Sequence, residues 1–330
     1  MTLVLLLGLP FQAFAQETTQ PTQTAQTTET QPEETQPIEI RETISISIAE
    51  DLVALGENCS LDTWSLDKRV VLEADISLRG VDFEPIATFG GIFEGNGHVI
   101  SDLNLTGDFA PAGLFGIVQS TGRIRNLTVE GTVEPGGEGS NAGGIAGENY
   151  GRLENCAFSG TVTGKRNTGG IAGSMAVEYG LDPEDDVSAD LSGSYRRQYE
   201  YKAIVQRCVN EGAVTAKRSN VGGIAGRMDL GFITGCESYG SIDSESGSYV
   251  GGIAGLTAAT VRSSYAKCAI SGKRYVGGIV GSGTAEKSDG GASTVADCWS
   301  LVDITACQQY EGAVSGSDAG TFERNYFVSD

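Results

Sequence analysis

The chain is long, acidic and rich in glycine. It has 330 residues, of which 47 are Gly, 43 are acidic, 22 are basic and one is His, and its formal net charge at pH 7 is −21. So negative a protein is not expected to bind nucleic acid or an anionic membrane surface, because both would repel it. The composition is that of a soluble extracellular protein with one large core.

The first residues have the pattern of a secretion signal. Leu3 to Phe11 form an apolar run too short to span a bilayer, and Ala13-Phe14-Ala15 matches an A-x-A cleavage site. The usual Lys or Arg near Met1 is missing, so residues 1–15 are interpreted as a truncated or atypical signal peptide. Residues 16–37 are mostly Thr, Gln, Glu and Pro, which predicts a disordered linker. Residues 38–330 are then expected to form the folded domain.

The folded domain is predicted to begin with a strand and a short helix. Ile44-Ser-Ile46 alternates as a strand does, and Ser47-Ile-Ala-Glu50 has the form of a capping box. Ile48, Leu52 and Leu55 fall on one helical face, and Gly56 is expected to end the helix. We interpret this helix as the N-terminal cap of the fold, since an uncovered strand edge invites pairing with another chain.

One glycine-rich phrase recurs along the chain and predicts a solenoid. Its five clear copies are Gly143-Gly-Ile-Ala-Gly147, Gly169-Gly-Ile-Ala-Gly173, Gly222-Gly-Ile-Ala-Gly226, Gly251-Gly-Ile-Ala-Gly255 and Gly277-Gly-Ile-Val-Gly281. Neighbouring copies are 26 or 29 residues apart, except for a gap of 53 residues between Ile171 and Ile224. This period fits one coil of a β-helix, whereas Gly pairs disfavour helical repeats.

A second recurring element, of the form Cys-x-x-x-Gly-x-Val, places cysteine inside the coil. Leu127 and Leu103 are expected at the same position in earlier coils, which indicates a buried apolar position. Parallel in-register side chains have poor disulfide geometry, so we predict buried, unpaired thiols. Cys59 and Cys307 lie outside this pattern, and the absence of Cys-x-x-Cys spacing argues against zinc.

The repeats resemble the GLUG-motif family of bacterial surface proteins. The resemblance rests on the stretch from Phe89 to Leu103, on Gly113-Leu-Phe-Gly116 and on the five glycine phrases, and it extends from about Ile44 to Val314. It implies an all-β fold, a right-handed parallel β-helix, which is secreted or displayed on a bacterial cell. It also implies an adhesin-like role.

No catalytic site is predicted. The only histidine, His98, lies in a Gly-Asn-Gly-His turn and is interpreted as a surface residue, which weakens any Ser-His-Asp or Cys-His arrangement. A His-Glu-x-x-His metallopeptidase site needs two histidines. Polysaccharide lyases and glycoside hydrolases use carboxylate clusters, which we do not find on adjacent coils. Such a carbohydrate-active enzyme is the alternative function.

Tyr249 and Tyr275 are the first candidates for ligand binding. The residue two positions before each glycine phrase is Asn141, Asn167, Asn220, Tyr249 and then Tyr275. If the coils stack, these residues form a column of three amides followed by two phenols. One interpretation is a structural ladder that stabilises a turn. The other is a flat aromatic platform for a sugar ring.

Basic pairs beside this column are the second set of candidates. They are Lys165-Arg166, Lys217-Arg218 and Lys273-Arg274, with Asp243 and Glu245 in the intervening coil. One interpretation is that they are solvated turns in which opposite charges interleave across coils. The other is that they form a column that binds an anionic wall polymer or an acidic partner.

The 27-residue excess, at about 175–202, is expected to project as a loop. It contains Asp182-Pro-Glu-Asp-Asp186 and several tyrosines between Tyr195 and Tyr201. The carboxylates suit Ca²⁺, but the spacing is not that of an EF-hand, so no cofactor is predicted and Ca²⁺ is kept as the alternative.

The sequence therefore predicts a non-catalytic, secreted or surface-displayed binding module. A glycan or a cell-surface protein is the expected partner. A passive spacer for a further C-terminal domain is the remaining alternative.

Overall fold

The computed structural model describes residues 39–136, 140–176, 203–244, 246–284 and 293–328. The predicted signal peptide at 1–15, the predicted linker at 16–37 and nearly all of the predicted insertion at about 175–202 lie outside the described residues. None of the described helices is both long enough and apolar enough to cross a membrane.

The described part of the chain is a parallel β-helix, as predicted. Each coil contributes in turn to a ten-stranded, a thirteen-stranded, a six-stranded and a seven-stranded sheet, and neighbouring strands within each sheet come from successive coils. The pairing of Glu42–Ile46 with Lys68–Leu72 is parallel, and so are the pairings further along the chain. Side chains that point inward from the sheets meet in one continuous core.

The strands are short because each coil must turn a corner after a few residues. Those of the ten-stranded sheet are Glu42–Ile46, Lys68–Leu72, Ile92–Glu94, Arg123–Arg125, Arg152–Glu154, Ile204–Gln206, Phe232–Thr234, Thr260–Arg262, Thr294–Ala296 and Thr321–Glu323. Those of the thirteen-stranded sheet are Ile76–Ser77, Val99–Leu105, Thr128–Val133, Ala157–Gly164, Val209–Asn210, Ala213–Ala216, Glu237–Ser238, Ser241–Ser244, Tyr265–Ala266, Ala269–Ser271, Trp299–Ser300, Asp303–Ala306 and Tyr326–Phe327.

The other two sheets lie on either side of the glycine phrases. The strands of the six-stranded sheet are Ser140–Gly143, Arg166–Gly169, Val221–Gly222, Ser248–Gly251, Arg274–Gly277 and Gln309–Gly312. The strands of the seven-stranded sheet are Ile86–Phe89, Phe115–Val118, Ala146–Asn149, Ala172–Met175, Ala225–Met228, Ala254–Thr257 and Val280–Ser282.

The predicted repeat register is confirmed by the backbone hydrogen bonds. The amide of Ile145 donates to the carbonyl of Ile171, which lies one coil further on, at 3.1 Å. The amide of Ile171 donates in the same way to Ile224, also at 3.1 Å, although 53 residues separate the two in sequence. The excess of 27 residues therefore leaves the stacking of the coils unchanged.

The glycines of each phrase are needed because other atoms approach too closely for a side chain. A Cβ atom on Gly222 would lie 2.2 Å from the carbonyl oxygen of Ala225. On Gly223 it would lie 2.0 Å from Oγ of Ser238 across the core, and on Gly226 it would lie 2.3 Å from the backbone of Thr168 in an earlier coil. A different close contact therefore requires each of these glycines.

The cysteines are free, and the predicted interior column is confirmed in most of its members. Strand register aligns one position in successive coils, occupied by Leu127, Cys156, Cys208, Cys236, Ser264 and Cys298. The four cysteines of this column are buried and carry no disulfide. Burial is the main cause that raises the pKa of Cys298 to about 11.

Two assignments to this column were wrong. The Cys268 position aligns with Gly240 rather than with Cys236, because Ser264 occupies the column in that coil. Leu103 pairs with Gly131, four residues beyond Leu127, because the register shifts between Ile100 and Leu103. Both side chains are nevertheless buried, so the inference that they are interior residues holds.

The predicted N-terminal helix is present as α1, Ala49–Asn58, but its ends differ from the prediction. The carboxylate of Asp51, not that of Glu50, accepts the amides of Ser47 and Ile48, at 2.9 and 3.2 Å. Gly56 lies within the helix and does not end it. Leu52 and Leu55 are buried as expected, and they join the core of the β-helix. Ile48 was wrongly assigned to the same face, because it is the N-cap residue and its side chain is exposed.

Candidate ligand-binding site

The predicted column of asparagines is a hydrogen-bonded ladder on the outer face of the six-stranded sheet. The side-chain amide of Asn167 donates to Oδ1 of Asn141 at 2.7 Å, and that of Asn220 donates to Oδ1 of Asn167 at 2.7 Å. All three residues have positive φ, between 50° and 66°. Asn tolerates this left-handed backbone better than most residues, which explains its recurrence here.

Tyrosines continue the same column in the same unusual backbone conformation. The φ angles of Tyr249, Tyr275 and Tyr310 are 68°, 54° and 64°. The rings of Tyr249 and Tyr275 are stacked with centroids 5.1 Å apart, and those of Tyr275 and Tyr310 with centroids 4.7 Å apart. Tyr310, two residues before the weak copy that starts at Gly312, was missed from the sequence, although the same spacing rule identifies it.

This stacking changes the predicted role of the two tyrosines. Both faces of the Tyr275 ring are occupied by neighbouring rings, so Tyr275 offers a ligand its edge and hydroxyl group rather than a flat face. Tyr249 ends the stack. Because Tyr275 covers one of its faces, its other face is turned toward the coil of Asn220, whose side chain is much smaller. Only this face matches the predicted sugar platform.

The basic pairs do not form one column, contrary to the prediction. Arg166 pairs in register with Ser140, and Arg274 pairs with Ser248, to which its Nε donates at 3.3 Å. Arg218 has no equivalent in the neighbouring coil and follows Lys217 as an extra residue at the corner. Asp243 is in the intervening coil, as predicted, but it lies in the thirteen-stranded sheet, where it accepts a hydrogen bond from Ser271. Glu245 lies outside the described residues.

The cause is a corner that lengthens from coil to coil. Gly164 and Thr168 are four positions apart in the sequence, whereas their register partners Ala216 and Val221 are five positions apart. In the following coil the register partners Ser244 and Val250 are six positions apart. The extra residue in the second of these coils is Arg218, which lines a recess at this corner.

This recess is an open pocket of about 380 Å³ at the junction of the Asn ladder and the Tyr stack. It brings together parts of both predicted sets of ligand-binding residues. Its lining residues are Arg166, Arg218, Ser219, Asn220, Ser246, Gly247, Tyr249 and Leu256. Of the other candidates, Lys165, Lys217, Lys273, Arg274 and Tyr275 do not line it.

The charge of the pocket is unusual for this protein. Most described arginines have a carboxylate partner, as Arg125 does with Glu94 at 2.6 Å and Arg324 with Asp297 at 2.7 Å. In the part of the chain that the structure describes, no carboxylate forms an ion pair with Arg166 or Arg218. Two exposed guanidinium groups therefore face one recess on a strongly acidic molecule.

A second aromatic column, on the thirteen-stranded sheet, was not recognised in the sequence. Tyr265, Trp299 and Tyr326 are in register on successive coils, and the Trp299 and Tyr326 rings stack with centroids 4.4 Å apart. The sequence signal is the residue that follows each interior column position, such as Trp299 after Cys298.

The lone histidine has one carboxylate partner. Nδ1 of His98 lies 2.9 Å from Oδ1 of Asp75, and the imidazole side chain is 32% exposed. Hydrogen bonds from the Val99 amide and from His98 lower the pKa of Asp75. Across the described ranges, no three His, Cys, Asp or Glu side chains gather in a way that could hold a metal ion.

Two of the comparisons with known proteins concern the sequence. The family described as Glug, the GLUG motif, matches residues 138–163, a segment that contains the Gly143–Gly147 phrase and the Cys156–Val162 element. Halomucin of Haloquadratum walsbyi (strain DSM 16790 / HBSQ001) is 33% identical over 123 residues, 35% of this chain and 1% of Halomucin. The chain thus spans a very small part of that relative.

A solved structure shares the fold. A Bacteroides ovatus protein, described as a candidate immunoglobulin A1 protease, superposes with a TM-score of 0.61 and 20% identity over 86% of this chain and 84% of that chain. At this level of identity the likeness shows the fold alone. The parallel β-helix predicted from the repeats is confirmed by this likeness and by the strand pairing.

Proposed function

The chain is a GLUG-motif protein with a parallel β-helix fold, and on that premise we propose that it is a glycan-binding module of a secreted or surface-displayed protein. Its role is adhesin-like and non-catalytic. The acidic composition and the signal-like residues 1–15 support the proposed location.

The observation that carries this proposal is the position of Tyr249, which ends the stack of tyrosine rings and lines the pocket. An aromatic face binds the apolar C–H patches of a pyranose, while adjacent amide and hydroxyl groups bind its hydroxyls. Asn220 and Ser219 supply such groups next to the ring. The stack of Tyr275 and Tyr310 behind Tyr249 supports its ring from the other side.

A glycan array probed with the complete chain tests the proposal, and Tyr249→Asn is the informative variant. Asn is the residue that the same column carries in the preceding coils, so it suits the positive φ and can extend the amide ladder. We expect this variant to remain folded and to bind about 10-fold more weakly, since stacking against the ring is lost.

Tyr310→Asn is the matched control, because it removes an equivalent ring at the other end of the stack, away from the pocket. Its affinity is expected to stay within about 2-fold of the original. An array without any retained glycan, or equal weakening by both variants, would contradict the proposal.

The carbohydrate-active alternative is tested by analysing the retained glycans for products. A β-helix lyase or hydrolase needs paired carboxylates or a Ca²⁺ site near its substrate. Cleavage of a bound glycan would identify an enzyme and would replace the non-catalytic role.

A further inference from the structure

We infer that the pocket beside Tyr249 binds an acidic pyranose, a hexuronate or a sulfated sugar, with the ring against Tyr249 and the anionic group between Arg166 and Arg218. This inference rests on the proposed function and specifies the class of glycan. It follows from the charge of the pocket, from the way its corner is held and from its size.

The positive charge of the pocket favours an anionic ligand. Arg166 and Arg218 both line the pocket, and neither forms an ion pair with a carboxylate among the described residues. Long-range repulsion from a net charge of −21 works against anionic ligands, so any attraction must come from close contact. A guanidinium group provides it, because its planar array of donors can bind a carboxylate or sulfate through two hydrogen bonds.

The backbone around Arg218 is held in place by the next coil. Oγ of Ser244 donates to the Arg218 carbonyl at 2.5 Å, and Oγ of Ser246 donates to the Lys217 carbonyl at 2.7 Å. Gly247 packs so closely that a Cβ atom there would lie 1.0 Å from the same Arg218 carbonyl oxygen. The base of the Arg218 side chain is therefore preorganised, which lowers the entropy cost of binding.

The volume and the lining of the pocket favour a small acidic sugar. A volume of about 380 Å³ is at the lower end of the range for small-molecule sites, which suits one or two sugar rings rather than a folded partner. The lining combines Tyr249 and Leu256 with two arginines. A ligand that matches both kinds of side chain needs an apolar ring face and a negative charge within one unit, as acidic pyranoses have.

Three polymers separate the contributions of ring and charge when they are tested against the complete chain. Polygalacturonate carries both, its full methyl ester carries the ring without the charge, and polyglutamate carries the charge without the ring. We expect polygalacturonate to bind at least 10-fold more tightly than either of the others. Dextran sulfate, compared with dextran, then shows whether sulfate replaces carboxylate.

The informative variant is Arg166→Gln combined with Arg218→Gln, and Lys273→Gln combined with Arg274→Gln is its control. Both remove two positive charges from exposed positions near the six-stranded sheet, but only the first changes the pocket. We expect the first to weaken polygalacturonate binding by about 10- to 100-fold and to leave binding of the methyl ester unchanged. The control is expected to change either affinity by less than about 3-fold.

The outcomes distinguish this inference from the proposed function. If acidic and esterified polymers bind equally, and only Tyr249→Asn weakens them, the acidic specificity is wrong and glycan binding stands. Equal loss with both double variants, or polyglutamate binding as tight as that of polygalacturonate, would show non-specific attraction and overturn the inference. If neither these polymers nor any array glycan binds, the proposed function fails together with the inference.

Discussion

At the scale of single residues, one backbone requirement explains the outer column of the six-stranded sheet. Asn141, Asn167 and Asn220 occupy a left-handed conformation that Asn accepts readily, and Tyr249 adopts it although it costs a tyrosine more. The ladder and the stack offset the cost of this backbone conformation in different ways. The ladder does so through amide hydrogen bonds, and the stack does so through contacts between rings. The pocket lies at the junction of the ladder and the stack.

Asn167→Ala and Asn167→Gly test this account together. Each loses the hydrogen bonds to Asn141 and Asn220, worth about 1 kcal/mol apiece, but Ala also adds a cost of about 1 kcal/mol at positive φ. We expect Ala to lower the free energy of unfolding by about 3 kcal/mol and Gly by about 1 kcal/mol less than that. Urea denaturation measures both. Equal losses would show that the backbone conformation imposes no demand at this position.

At the scale of the repeated element, the glycine phrase is required by packing between coils. The first glycine faces a carbonyl of its own coil, the second faces the opposite sheet, and the last lies against an earlier coil. The same contacts recur from phrase to phrase, which explains why the residues change so little along the solenoid. The outward-facing positions lack this constraint and vary.

Gly222→Ala is expected to lower the free energy of unfolding by about 3 kcal/mol, because its Cβ would lie 2.2 Å from the Ala225 carbonyl oxygen. Gly56→Ala provides the contrast. It lies within α1, with no atom within 4 Å of the added Cβ, so Ala is expected to stabilise by up to about 1 kcal/mol. Thermal unfolding of the two variants checks the prediction. A tolerated Gly222→Ala would contradict the steric explanation.

At the scale of the whole molecule, the core of this acidic protein contains uncharged thiols. Burial raises the pKa of Cys59 and of Cys268 to about 12, from an ordinary value near 9. The folded protein therefore keeps these thiols protonated at a pH at which the unfolded chain has lost the protons. Their stabilising contribution is complete below pH 9 and is lost as the pH rises through 12.

The free energy of unfolding is thus expected to fall between pH 9 and pH 12, by about 1.4 kcal/mol per pH unit for each of these thiols. Urea midpoints measured across the alkaline range test this. The variant Cys59→Ala combined with Cys268→Ala should show a shallower decline, because tyrosine ionisation affects both proteins alike. If the free energy of unfolding declined equally steeply with pH in both proteins, ionisation of these thiols would not be the cause of the decline.

The candidate site could be predicted in its parts but not in its arrangement. Tyr249, Arg166 and Arg218 were singled out from local spacing, yet the sequence suggested a straight basic column and a platform of two tyrosines. A one-residue change in corner length shifts the register of neighbouring side chains, and such a change is indistinguishable in the sequence from ordinary variation in repeat length. Only the stacked coils show that Arg218 and Tyr249 line the same pocket.

The sequence by itself determined the parallel β-helix, the repeat register across the 27-residue excess and the interior position of the cysteines. These features recur along the solenoid, since each coil must satisfy the same close contacts. Because they recur, they can be recognised in a single amino-acid sequence. The tertiary structure decided the pocket, the stacking of the three tyrosine rings and the true alignment of Cys268. Those features depend on differences between adjacent coils, which have a meaning only once the coils lie against one another.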